Sequence, residues 1–246
     1  MNITGIILIA GRGRRLIPFT NKVPKCLLKV NGIEILERQI INLTSHGIKR
    51  IIFCIGYKKN MIIKRINELA LIYHFEPCFV ENNQYLNTNT LYSLYLSMGN
   101  ILTDYIFLNG DVIFDKEILN LVFGKIYRSI TSLVVEIKKP NKEDVKILLD
   151  KNNKYVIHIG KSLSLKKSIG EFTGIAYFSM KYSILLQKTL EKLTYKGNKQ
   201  EYFEYAIEET INNSRSKIEI IDIKKNRFIE IDTFQDYAKA QKKFAI

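Results

Sequence analysis

Through the first half of the chain, short apolar runs rich in β-branched residues alternate with stretches whose apolar positions recur every three or four residues. That alternation is the signature of strands interleaved with helices. Strands are predicted at residues 5–9, 50–55, 79–81 and 105–108, and helices at 34–45, 60–71 and 90–98. Such βαβ order implies a mainly parallel sheet with helices on both faces, and ligands of open sheets of this kind bind beyond the carboxyl ends of the strands. From about residue 131 the rhythm changes to closely spaced strands at 131–137, 145–149, 155–159 and 172–179, read as an inserted mixed or antiparallel sheet. Helices at 181–193 and 200–212, strands at 217–222 and 228–231, and a helix at 234–243 follow. The fold class is α/β.

A chain of 246 residues with 46% hydrophobic content can bury one sizeable core, and no linker-like composition divides it. One domain is expected. No apolar run approaches the roughly 20 residues that cross a bilayer, and MNITGIILIAG has no basic leader region, so the protein is expected to be cytoplasmic and not inserted in a membrane. Cys26, Cys54 and Cys78 are odd in number and unpaired in spacing, which indicates buried thiols and not a disulfide framework or zinc site. His46, His74 and His158 are equally scattered and support no histidine chemistry. The net charge of +14 invites a polyanion, but the lysines are spread along the chain with no nucleic-acid motif beside them. A small anionic substrate uses the same charge more economically.

The segment IILIAGRGRRLIPFTNKVPKCLL, from Ile6 to Leu28, joins an apolar strand to a glycine loop and then to spaced cations. Gly11 and Gly13 let backbone N–H groups approach a ligand closely, a geometry that cradles phosphate. Arg15 and Lys25 set fixed positive charge beside it, as a nucleoside triphosphate requires before an anionic nucleophile can approach. Neither the Walker loop nor the dinucleotide fingerprint fits, because Arg14 and Arg15 follow Gly13 and Leu16 stands where a third glycine would. Pro18 favours an extended, ligand-wrapping loop. Asp111 in LNGDVIF and Asp232 in FIEIDTF each follow an apolar strand. Singly, each reads as a turn or helix cap; together they could hold Mg²⁺ against a triphosphate.

Combined, these pieces resemble the nucleotidyltransferases that activate sugar 1-phosphates and small phosphorylated alcohols. The family signature A-G-x-G-x-R-L-x-P-x-T followed by P-K-x-L is matched by Ala10, Gly11, Gly13, Arg15, Leu16, Pro18, Thr20, Pro24, Lys25 and Leu27. Its late I-D-T is matched by Ile231, Asp232 and Thr233. The resemblance implies a single-domain, Rossmann-like fold of the nucleotide-diphospho-sugar transferase type, residues 1–130 forming a nucleotide-binding half and 131–246 an acceptor-binding half with a small β insertion. It implies that Ala10, Gly11, Gly13 and Arg14 line the nucleotide, that Arg15 and Lys25 are catalytic phosphate binders, and that Asp111 and Asp232 hold Mg²⁺. Arg14 departs from the family's usual Ser or Thr, and Arg12 adds charge where a small or apolar residue is common.

NTNTLYSLYLS at 87–97 resembles the N-[ST]-x-x-S-L stretch of the branch that makes CDP-linked head groups, including phosphocholine and 2-aminoethylphosphonate cytidylyltransferases. By that resemblance Asn89 and Ser93 lie near the nucleotide, Lys161 meets the acceptor phosphate, and Glu171 faces its variable group. From the residues alone, Asn89 reads equally as a helix cap, Lys161 as a turn lysine and Glu171 as part of a turn. The expected partners are CTP and a small phosphorylated or phosphonate acceptor, with no nucleic acid, and the sequence leaves a homo-oligomer open. A sugar-1-phosphate nucleotidyltransferase using UTP, dTTP or GTP is the nearest alternative, and a non-catalytic nucleotide-sensing subunit the alternative of another class.

Overall fold

The computed structural model describes residues 3–99 and 103–245. Its strands are β1 (Ile3–Leu8), β2 (Lys29–Val30), β3 (Ile33–Glu34), β4 (Arg50–Ile55), β5 (Glu76–Glu81), β6 (Asp104–Asn109), β7 (Val112–Phe114), β8 (Ser132–Ile137), β9 (Lys146–Leu149), β10 (Val156–Gly160), β11 (Gly170–Phe178), β12 (Glu219–Asp222) and β13 (Phe228–Glu230). The α-helices are α1 (Phe19–Lys22), α2 (Ile35–Ser45), α3 (Lys59–Tyr73), α4 (Thr90–Met98), α5 (Glu117–Ile126), α6 (Met180–Tyr195), α7 (Phe203–Ser214) and α8 (Phe234–Lys243).

Nine strands form one mixed sheet whose path runs β10-β9-β11-β6-β1-β4-β5, with β8 paired to β11 and β12 to β8. Its centre, β6-β1-β4-β5, is parallel. Side chains of these strands alternate between two layers, as a period of two requires. Ile7, Phe53 and Leu108 enter a core completed by α2, α3 and α5, whereas Ile6, Cys54 and Phe107 enter one completed by α4, α6 and α7. Helices therefore cover both faces. A third core of Leu16, Val30, Ile113, Ile231 and Phe244 lies under α8.

The strands from residue 131 onward form the expected mixed, largely antiparallel part, joined to the central sheet. β11 pairs antiparallel with β6, so β8 to β11 continue the central sheet past its parallel half. The glycine loop differs from the extended form expected. It winds through a 3-10 turn at Arg14–Leu16, then α1, then a second 3-10 turn at Lys25–Leu27. The break at Pro18 only separates two coils, since the ring's fixed φ suits the start of a helix as well as a turn. Helix α5, the short β2–β3 pair and β7 complete the differences. No described helix is long and apolar enough to cross a membrane.

Candidate active site

The register of the central strands decides what meets at their carboxyl edge. Leu8 at the end of β1 stands opposite Asn109 at the end of β6, and Leu8 O accepts the Gly110 N–H at 3.0 Å. The glycine loop and Asp111 therefore leave the sheet side by side. A Cβ on Gly110 would sit 2.3 Å from Leu8 O, so only glycine allows this approach. Gly13, at φ +65°, packs against Lys25 and Thr20, and its carbonyl accepts from Thr20 Oγ1 at 3.0 Å. That closure folds Lys25 back toward the start of its own loop.

Asp232 arrives through a second device. β7 and β13 pair antiparallel with Val112 opposite Glu230, and Ile231 N–H donates to Asp111 O at 3.0 Å. Thr233 caps α8 in a box with Asp236, its hydroxyl accepting from Asp236 N–H while Asp236 accepts the Thr233 N–H. The cap is thus Thr233, and Asp232 is left to face Lys25. Asp111 is not a helix cap either, because α5 begins after Lys116.

These pieces converge. Lys25 Nζ donates to Asp111 Oδ2 and Asp232 Oδ1, both at 2.8 Å, and Arg15 Nη2 pairs with Asp232 Oδ2 at 2.8 Å. Asp111, Glu230 and Asp232 each offer an oxygen within 4.8 Å of the others. Burial works to lower the pKa of the Lys25 ammonium, but Asp111 and Asp232 outweigh it and leave it raised. Burial likewise works against the ionised Asp232, yet Lys25, Arg15 and Lys161 hold it below the usual carboxylate range. Glu230 moves the other way, pushed well above its ordinary value by burial and then by its two acidic neighbours.

An acidic cluster with only oxygen donors suits a hard divalent cation. Asp111 Oδ1 is buried without a hydrogen-bond partner and so has an acceptor position to give to one. The residues present fit Mg²⁺. Glu230 was missing from the sequence reading, although it closes β13 only two residues before Asp232, a spacing that could have revealed it.

The other expected residues lie around this centre. Ala10 is buried at the exit of β1, Gly11 and Arg14 are exposed, and Arg15, though paired with Asp232, is 67% exposed. Asn89 caps α4 by accepting the Thr90 N–H at 2.9 Å. Ser93 is buried, its hydroxyl accepting from Asn82 Nδ2 at 3.1 Å. Lys161 is exposed just beyond β10, its Nζ 5.4 Å from the centre of the Tyr202 ring. Glu171 is held by Lys138, which also bonds Glu136 at 2.9 Å. Burial raises the Glu171 carboxyl in spite of Lys138. Arg12, from the basic run, lies 5.7 Å over the Tyr57 ring.

A loop of cations thus lies against paired aspartates at the carboxyl edge of an α/β sheet. The chain belongs to the nucleotidyl transferase family, whose model matches residues 4–145. It is 32% identical over 148 residues to the bifunctional protein GlmU of Methanococcus aeolicus, covering 60% of this chain. It is 24% identical over 245 residues to the choline-phosphate cytidylyltransferase of Streptococcus pneumoniae, covering 96% of each. The chain spans 34% of the GlmU protein and 51% of another bifunctional relative, the IPC transferase and DIPP synthase of Aquifex aeolicus. The solved CTP:phosphocholine cytidylyltransferase from Streptococcus pneumoniae shares the fold, with a TM-score of 0.78 at 23% identity over 98% of this chain and 99% of that one.

Proposed function

We propose that the protein transfers CMP from CTP, with Mg²⁺, to a small phosphorylated or phosphonate head group of the phosphocholine or 2-aminoethylphosphonate kind, releasing pyrophosphate. The observation that carries this reading is the meeting of Lys25 with Asp111 and Asp232 across 86 and 207 residues of sequence. The 87–97 segment and the near full-length likeness to a choline-phosphate cytidylyltransferase support CTP over other triphosphates.

In this reading the backbone of Ala10, Gly11 and Gly13 cradles the triphosphate, and Arg14, Arg15 and Lys25 balance its charge. Asn89 and Ser93 border the nucleotide. An acceptor oxygen attacks the α-phosphorus as the bond to the leaving pyrophosphate breaks. A phosphate monoester, with its second pKa near 6, is already largely ionised, so no strong general base is required. The task is to bring two polyanions together, which positioned cations accomplish. Lys161 takes the acceptor's anion and Glu171 lies toward its variable group. Asp111 and Asp232, with Glu230 beside them, would hold Mg²⁺, which when bound offsets further phosphate charge.

Pyrophosphate release measured with CTP, UTP, dTTP and GTP against a panel of phosphorylated head groups and sugar 1-phosphates, with and without Mg²⁺, tests the reading. CTP and a head-group acceptor are expected to support magnesium-dependent release. Preference for another triphosphate with a sugar 1-phosphate would favour the alternative transferase, and no release with any pair would overturn catalysis itself.

A further inference from the structure

Glu204, in the first turn of α7, is only 6% exposed, and its Oε2 is buried without a hydrogen-bond partner. Buried carboxyl oxygens are rarely left in this state. One turn along the same helix face, Glu208 accepts the Ile159 N–H at 2.8 Å and pairs with His158 Nδ1 at 2.7 Å, anchoring the end of β10. Lys161 lies two residues beyond Ile159. The helix face that grips β10 thus carries Glu204 toward the segment bearing Lys161, whose ammonium rests near the ring of Tyr202.

The charges whose fields reach the Glu204 carboxyl are Lys161 and Asp111, which act in opposite directions. Among the elements packed on α7, β10 brings His158, already paired with Glu208. Helix α4 carries no Asp, Glu, Lys or Arg, and α6 brings Tyr182, whose buried hydroxyl makes no hydrogen bond.

We propose that Glu204 is a positioning residue for Lys161, its buried carboxylate steadying the ammonium through space by charge attraction on the acceptor side of the acidic triad. This rests on the reading that Lys161 takes the acceptor's anion. A solvated lysine must surrender its side-chain freedom when it binds an anion, whereas a lysine already held gives up less on binding. Burial pushes the Glu204 carboxyl up to about 7, so it is largely neutral below that pH and ionised above it. The attraction therefore strengthens as pH rises.

Two measurements test this. The first needs no substrate: a thermal double-mutant cycle at pH 8 with E204Q, K161M and the double variant. Lys161→Met is expected to lower Tm when Glu204 is present and to leave it unchanged in the E204Q background, while E204Q alone matches or exceeds the wild-type Tm because a buried charge is gone. Absence of coupling, or a Tm loss in E204Q, would overturn the proposal. The second measures kinetics with CTP and either phosphocholine or 2-aminoethylphosphonate. At pH 8, E204Q is expected to raise acceptor KM about three- to tenfold, the factor for one side chain newly immobilised on binding. Its kcat and CTP KM stay within about twofold, E204D recovers part of the loss, and the KM ratio of variant to wild type falls toward one at pH 6. A ratio flat with pH, or a loss confined to kcat, would overturn positioning. Inactive wild-type protein with the thermal coupling intact would instead overturn the transferase reading alone.

Discussion

Replacing Lys25 with Met removes the ammonium that joins Asp111 to Asp232 while keeping most of its apolar stem. In the native protein that ammonium makes two 2.8 Å contacts, and its side chain is only 14% exposed. Breaking a fully buried pair costs about 3–5 kcal/mol because the partner's charge is stranded. Here the carboxylates are 23% and 26% exposed and Arg15 still reaches Asp232, so solvent screening reduces the expected loss to about 2 kcal/mol. For a chain of this size that corresponds to a Tm lowered by about 4–8 °C. The sign with pH follows from Asp232, whose folded pKa is depressed: its stabilisation is present above the ordinary carboxylate value of 3.8 and disappears as pH falls through the depressed one. The deficit should therefore be full at pH 7–8 in EDTA and shrink below about pH 4. Adding Mg²⁺ should restore more stability to the variant than to wild type, since a cation then binds a cluster that has lost its own. Circular dichroism melts across pH, with EDTA or Mg²⁺, make the measurement. A variant as stable as wild type at pH 8 in EDTA would show that the carboxylates do not depend on Lys25.

The same Lys25→Met variant should turn over at least about tenfold more slowly, equivalent to roughly 1.4 kcal/mol of barrier, in the pyrophosphate assay. Glu230→Gln should weaken the thermal stabilisation given by Mg²⁺, read from Tm against magnesium concentration, and an unaltered titration would remove Glu230 from the cation site. Gly110→Ala forces a methyl group against Leu8 O and Ile9; a loss of about 1–3 kcal/mol is expected in urea melts, with lower turnover as Asp111 shifts. Thr233→Ala removes the hydroxyl that caps α8 and should cost about 1 kcal/mol by the same method.

What was legible in the sequence was what is local. The glycines and cations of 11–25 lie close together in the chain, so their joint chemistry could be inferred before their shape was known. The alternating strands gave the parallel centre for the same reason. That Asp111 and Asp232 could meet was read from their places after apolar strands, and the family resemblance made it the expectation; the ribbon that unites them consists of two three-residue strands whose register no periodicity announces. Helix α5 escaped because its apolar residues run on from β7 with only a short break. Glu204 was invisible for a different reason: nothing in EYFEY distinguishes an exposed glutamate from a buried one. Thr233 shows the opposite case: the cap that Asp232 taken singly suggested falls one residue later and leaves the carboxylate to Lys25.

The ribbon of β7 with β13, and the hold of α8 on the early part of the chain, carry a consequence for biosynthesis. Tyr237 and Gln241 both donate to Lys29 O, and Gln241 accepts the Asn31 N–H. A nascent polypeptide can assemble the sheet's parallel core while residues 228–243 are still inside the ribosome, since β1, β4, β5 and β6 all precede residue 110. It cannot yet complete the carboxylate set. The set stays incomplete until β13 and α8 emerge, so ribosomes stalled upstream of codon 228 should display chains without the proposed activity, and a proteolytic cut in the 223–227 turn should have the same effect if the piece bearing β13 and α8 departs.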